Sequence, residues 1–240
     1  MPDRIVSLVP SLTETLAGWG FADRLVGVTD WCTSPPLPDV ARVRGTKNPD
    51  VAAIVALDPD LVVADQEENR RIDVERLRAA GLHVHVTAAR SLAEAAGCLE
   101  ALGPVVGAAE PAARLAADMR AALAVPAPVR LRTFCPIWRD PWMAVGNETI
   151  AGDLLGYAGF DVVPARPRYP RVDLDDVRAA DPDVVLLPDE PYEFGPGDLE
   201  AFAGWRAQIR FVDGAQLTWW GPRTVRALTS FRTLATDLVR

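Results

Sequence analysis

Short apolar runs recur along the whole chain, separated by stretches whose apolar residues return every three or four positions. The runs have the pattern of buried strands, and the stretches between them that of amphipathic helices. Strands are predicted at 4–9, 25–29, 60–64, 82–87, 130–135, 161–163, 183–187 and 210–213. Helix boundaries are signalled between them. Ser11-Leu12-Thr13-Glu14 reads as a capping box, in which hydroxyl and carboxylate satisfy free N–H groups at a helix start. Ser91-Leu92-Ala93-Glu94 repeats that spacing, and Asp173-Leu174-Asp175-Asp176 approximates it. Gly81 and Gly159 stand where helices commonly end. Pro222 opens a last helix with Val225, Leu228, Phe231, Leu234 and Leu238 on one face. Alternation of this kind predicts an α/β fold with mainly parallel sheets.

An internal repeat sets the domain organisation. Asp50 to Val63 reads DVAAIVALDPDLVV, and Asp173 to Leu186 reads DLDDVRAADPDVVL, with six of 14 positions identical at an offset of 123. Each copy is a capped short helix, an Asp-Pro-Asp turn and a buried strand. A weaker echo relates 11–28 to 147–163. Two duplicated α/β lobes are therefore expected, at 1–90 and 126–240. The Ala-rich stretch 91–125 between them is a helical connector with a break at Gly103-Pro104, and Val125-Pro126-Ala127-Pro128 leads into the second lobe.

Composition narrows the function. With 49% apolar and 24% charged residues the chain has a globular composition, which excludes long disorder. A net charge of −8 and a pI of about 4.9 leave no basic face for DNA or RNA, so nucleic acid is not an expected partner. No apolar run approaches the ~20 residues that cross a bilayer, so no membrane partner is expected either. Met1-Pro2-Asp3-Arg4 leads at once into a strand, and the first cysteine is Cys32. These features point to a cytoplasmic protein, or a periplasmic one if a leader has been removed. Three cysteines (Cys32, Cys98 and Cys135) do not make a disulfide framework.

Ligands of open α/β sheets bind outside the C-terminal strand ends, so the residues following each strand are the candidate site. They include Asp30-Trp31-Cys32, Glu67-Glu68-Asn69, Trp138-Arg139-Asp140-Pro141-Trp142, Asp189-Glu190-Pro191-Tyr192 and Trp219-Trp220-Gly221-Pro222-Arg223. Five of the seven tryptophans fall in these loops, which suggests a shared cleft lined by indoles if the lobes face each other. An indole stacks on planar ligands at little entropic cost, and Arg139 and Arg223 could bind acidic groups. His83 and His85 share one face of a strand but lack a third metal ligand nearby, so a structural role is expected and no metal site. Cys32 and Cys135 follow strands of opposite lobes, where they could meet a soft metal or simply be small buried residues. Glu67 and Glu68 in one lobe, with Asp189 and Glu190 in the other, could do acid–base work, or cap helices and stay solvated. No nucleophile elbow, phosphate loop or His-Glu-x-x-His is present.

Arg4-Ile5-Val6-Ser7-Leu8-Val9-Pro10-Ser11-Leu12-Thr13-Glu14-Thr15, Val26-Gly27-Val28-Thr29, Pro35-Pro36 and Ile54 to Val63 resemble the class III substrate-binding proteins of ABC importers, in particular their cobalamin-binding-like members. The resemblance implies two Rossmann-like lobes joined by a backbone helix, with ligand between them. It puts Trp31 where an aromatic packs on the corrinoid. A second family tryptophan would fall near Thr46, and the two glutamates that dock on the permease would fall near Ala52 and before Gly221, where none stands. Docking on an importer is therefore not expected, and the chain looks like a cytosolic branch.

The expectation is a non-enzymatic binder of a corrinoid, needing no other cofactor. Its stacking surface would be Trp31, Trp138, Trp142, Trp219 and Trp220. Cys32 lies beside Trp31; Lys47, Arg139 and Arg223 would hold acidic or amide groups; and Glu68, Asn69 and Tyr192 would hydrogen-bond the rim. A binder of a siderophore or haem, and an enzyme using the acidic loops, are the alternatives.

Overall fold

A computed structural model of the chain describes residues 1–127 and 129–240, so Pro128, in the lead-in to the second half, lies outside the described residues. The chain divides into two compact units: unit 1 is Met1–Ala89, Ala93–Arg120 and Trp220–Pro222, and unit 2 is Arg90–Leu92, Ala121–Trp219 and Arg223–Arg240.

Unit 1 is built on a parallel sheet of β1 (Ile5–Ser7), β2 (Leu25–Val28), β3 (Ala41–Arg42), β6 (Leu61–Asp65) and β7 (Val84–Thr87), in the order β3-β2-β1-β6-β7. A hairpin of β4 (Arg44–Gly45) and β5 (Asn48–Pro49) stands beside it. Every residue of β1 and β6 is buried, as expected of central strands covered on both faces. Their neighbours α2 (Val51–Ala56) and α3 (Arg71–Ala79) contribute Ile54, Val74 and Leu77 to a core with Val6, Leu8, Val62 and Ala64.

Unit 2 repeats the plan with β8 (Leu131–Phe134), β11 (Phe160–Val162), β12 (Val184–Pro188) and β13 (Gln208–Val212), all parallel, in the order β11-β8-β12-β13. A hairpin of β9 (Pro136–Trp138) and β10 (Met143–Ala144) follows β8. Helices α6 (Ile150–Ala158), α7 (Leu174–Ala179), α8 (Gly214–Thr218) and α9 (Thr224–Leu238) complete it. Its core gathers Phe134, Val177, Val185, Leu187, Phe194 and Phe202.

The repeat extends to atoms. Helices α2 and α7, and strands β6 and β12, begin and end at residues 123 apart. In unit 1, Asp60 Oδ2 accepts from the backbone N–H of Arg4, and the Arg4 guanidinium closes on Leu57 O. In unit 2, Asp183 Oδ2 accepts from the N–H of Arg132, whose guanidinium closes on Ala180 O. The Asp-Pro-Asp motif thus ties the strand start to the helix end in both units, which explains why it survives where flanking residues differ. Gly159, with φ of +106°, ends α6 in the left-handed conformation read from the sequence.

Several local expectations are corrected. Helix α1 (Pro10–Leu16) starts one residue before the supposed capping box: Val9 is its N-cap with no side-chain bond, Pro10 fills the first turn, and Thr13 turns inward. The predicted break at Gly103-Pro104 is absent. Helix α4 (Leu92–Val106) runs through both, and Gly107 with φ of +85° separates it from α5 (Ala109–Leu123). Gly103 serves close packing instead, since a Cβ there would strike Ala112. Helix α9 begins at Thr224 rather than Pro222, and its buried face is Thr224, Ala227, Leu228, Phe231, Ala235 and Leu238, with Val225 and Leu234 only half-buried. The two-residue strands and α8 carry too few residues to show a period, so they were not read.

Candidate functional site

In unit 1 the strand-end loops are pinned from below. Arg42, on β3, donates to the carbonyls of Thr29 and Cys32 at 3.0 Å each, and the N–H of Asp30 donates to Arg44 O. This fixes the loop after β2 against the β4–β5 hairpin. Its next residue, Trp31, is 63% exposed. Its indole Nε1 lies over Gly45, where an added Cβ would come within 3.3 Å. Lys47, at the hairpin tip, donates to the carbonyl of Glu67.

Asn69 ties three loops together. Its amide donates to Leu8 O after β1 and to Thr46 O in the hairpin, while its Oδ1 accepts from the Asp65 N–H at 2.9 Å. Asp65 sits beneath it, fully inside, taking the Thr87 hydroxyl at 2.6 Å and the Glu67 N–H at 2.8 Å. Burial pushes its carboxyl pKa up, opposed by those hydrogen bonds. Glu68 is half-buried in this same loop.

Two rim and contact assignments are corrected here. Asn69 is buried and spent on backbone, so it is a loop clamp and not a rim donor. Cys32 has no exposed surface, and its Sγ lies 3.1 Å from the hydroxyls of both Thr13 and Thr29. Burial raises its thiol pKa, so it is a packed core residue rather than a ligand contact. Cys135 is likewise buried and its thiol pushed up by burial alone.

In unit 2 the aromatics of the loops after β8 and β12 form one interlocked group with Phe134, Phe202 and Trp205. Trp138 ends β9 and is 44% exposed, and its ring meets the edge of Tyr192 at 5.8 Å and 75°. Tyr192 packs on Phe194 at 4.6 Å, and Phe194 lies stacked on Trp142 at 6.0 Å and 10°. Trp142 also meets Phe202, so it is half-buried packing more than open platform. Arg139 lies over the Trp142 ring at 5.6 Å and forms an ion pair with Asp198, which holds its guanidinium pKa above the usual value. The arginine expected to await a ligand's acid group is already partnered.

At the end of β12, Asp189 accepts from the Gly214 N–H, fixing the start of α8. Glu190 accepts from the Thr218 hydroxyl at 3.2 Å and from the Trp219 side chain. Burial raises its pKa, with the neighbouring charges of Asp189 and Asp213 adding to that. Arg223 lies over the Trp219 ring at 4.5 Å. Trp220 is a correction: it is buried in unit 1 and offers no stacking face. Of the five indoles, Trp31 and Trp138 are open, Trp142 and Trp219 are half-covered by arginines, and Trp220 is core.

Arg42 and Asp198 were not among the site residues expected from the sequence. Asp198 had a signal, since Gly195-Pro196-Gly197-Asp198 is a helix-start pattern and the structure has a short 3₁₀ helix of seven residues at Pro196–Phe202. Arg42 acts through backbone carbonyls 13 and 10 residues away, which no local pattern reveals. His83 is exposed before β7 and His85 half-buried on it; burial, then the charge of His83, lowers the His85 pKa. Among the described residues no three His, Cys, Asp or Glu side chains gather as a metal site.

Residues 5–207 match the family described as periplasmic binding protein. The chain belongs to that family. Among relatives of this chain, the vitamin B12-binding protein of Vibrio cholerae is 25% identical over 98% of this chain and 89% of its own length. The cobalamin-binding protein of Halobacterium salinarum is 32% identical over 77% of this chain, which spans about half (53%) of that protein. The periplasmic haem-binding protein RhuT of Roseiflexus superposes over the full length of both chains with a TM-score of 0.85 at 24% identity. The last shows the fold: α/β, with the parallel-sheet lobes expected from the class III resemblance. The family description and the Roseiflexus protein both name the periplasm, which does not support the cytoplasmic location expected from the sequence. No helix among the described residues is long and apolar enough to cross a membrane.

Proposed function

We propose that this chain is a non-enzymatic binding protein whose ligand is a corrinoid, taken by the loops at the C-terminal ends of its parallel strands. The observation that carries the reading is one open indole in each unit, Trp31 and Trp138, each on a loop or hairpin fastened beneath it. A corrin ring is broad, flat and edged with amides, which suits indole faces and backbone carbonyls better than a deep charged pocket. The relatives from Vibrio and Halobacterium, named for vitamin B12 and cobalamin, support the same class.

Haem is the second reading. Haem iron takes a protein axial ligand, usually His, Tyr, Cys or Met. The two histidines stand at and before the edge strand β7, the Tyr192 hydroxyl is bonded to Asp198, and Cys32 and Cys135 are buried. Those placements favour a ligand that brings its own axial groups. The acidic loops have local work, which supports a binder over an enzyme: Glu190 is held by Thr218 and Trp219, and Asp189 accepts the Gly214 N–H at the start of α8. Docking on an importer stays outside the proposal, since Ala52 stands where the first docking glutamate would fall.

Native mass spectrometry of the protein purified from its own host tests the reading. A bound species with the mass of a corrinoid supports it, and a bound porphyrin or siderophore overturns it. Fractionating the same cells tests the cytoplasmic location.

A further inference from the structure

The half-exposed Trp138 stands at one end of a contact network that includes a buried carboxylate, Asp198. Asp198 is only 6% exposed, on the short 3₁₀ helix Pro196–Phe202. One of its oxygens accepts from the Arg139 guanidinium and the other from the Gly195 N–H at 2.9 Å. The Tyr192 hydroxyl bonds the same carboxyl. From these partners two chains of contact lead to one place. Tyr192 meets Trp138 in an edge-type contact, and Arg139 is the next residue in the chain after Trp138 and lies over Trp142. Trp142 stacks on Phe194, which packs on Tyr192 and closes the ring of contacts.

We propose that Asp198 is a positioning residue: it holds Tyr192 and Arg139 so that the Trp138 indole keeps one orientation, ready to stack on a planar ligand. The inference rests on the binding reading above for its consequence, but not for its geometry. Without the carboxylate, Arg139 keeps its longer contact to Asp140 at 3.8 Å and its place over the Trp142 ring, and the Tyr192 hydroxyl loses its bond to that carboxylate. The indole is then free to tilt, and a preorganised stacking surface becomes one that must be ordered on binding.

The test uses the full chain with 5-fluorotryptophan, its Trp138 resonance assigned by Trp138→Phe. In Asp198→Asn without ligand, that resonance is expected to shift or broaden while the other tryptophans outside the aromatic group stay in place. Aquocobalamin affinity is expected to fall about three- to tenfold, the worth of one oriented aromatic pair. In the Trp138→Ala background the same substitution is expected to cost no further affinity, because both changes act through one ring. An unmoved Trp138 resonance, or a full additive loss in that background, overturns the proposal. Should D198N fail to fold, Tyr192→Phe removes one arm of the network and is expected to move the Trp138 resonance in the same way; no movement overturns it. If the wild type binds no corrinoid, the binding reading fails while the fluorine spectrum still decides the positioning role.

Discussion

Asp58 and Asp181 hold the same left-handed backbone, with φ of +45° and +46°. They are equivalent residues of the repeat, and each N–H closes on the carbonyl three residues back, Val55 and Arg178. Proline follows both and prevents the helix from continuing. Aspartate tolerates this conformation better than most residues, yet a Cβ there still carries strain. Asp58→Gly is therefore expected to be more stable than Asp58→Ala by about 1 kcal/mol in urea unfolding. Equal stability would show that the turn is not strained.

Asp60 gives the fold an acid-sensitive clasp. Backbone N–H groups of Asp3 and Arg4 hold its carboxyl below the ordinary value of 3.8. A lowered folded pKa stabilises above the unfolded value, and that contribution disappears as pH falls through the folded one. Asp60→Asn is expected to lose less stability than wild type as the pH is lowered from neutral to below 3.8, as read by urea midpoints. A parallel decline in the two proteins would show that the clasp contributes nothing to acid sensitivity.

Two tryptophans separate platform from core. Trp31→Ala should leave stability within about 0.5 kcal/mol, as for an exposed side chain, while corrinoid affinity drops by at least about tenfold. Trp220→Ala should cost about 3–5 kcal/mol of stability, because the buried ring leaves a cavity. Thermal melts and ligand titrations of both variants check the contrast, and a reversed pattern would mean that burial does not separate their roles.

The strand–helix alternation and the duplicated Asp-Pro-Asp unit were legible because both are local patterns of apolar spacing and turn chemistry. All eight predicted strands exist, with ends shifted by up to two residues, and the repeat keeps a constant offset through helix, turn and strand. The site was legible only in outline. That Trp31 and Trp138 are open while Trp220 is sealed depends on what packs over each ring, and that is set by residues far away in sequence. Asn69 looked like a rim donor because an amide after a strand often faces ligand; here three backbone groups claim it first. Arg139 looked available until Asp198, 59 residues away, took its guanidinium.

The cysteines make a reactivity prediction. Burial raises all three thiols, but Cys98 keeps partial exposure while Cys32 and Cys135 are sealed. Iodoacetamide on the native protein is expected to modify Cys98 first, with the other two reacting only on unfolding. Peptide mapping by mass spectrometry reads the order, and early labelling of Cys32 would show that its loop opens.

The most direct measurement is a tryptophan-fluorescence titration with aquocobalamin, run on wild type and on a Trp31→Phe/Trp138→Phe variant. The account predicts saturable quenching in the wild type, with an apparent dissociation constant well below about millimolar. It also predicts that binding is weakened in the double variant despite an unchanged fold. Quenching of equal strength and affinity in both proteins, or none in the folded wild type up to about millimolar ligand, would contradict it.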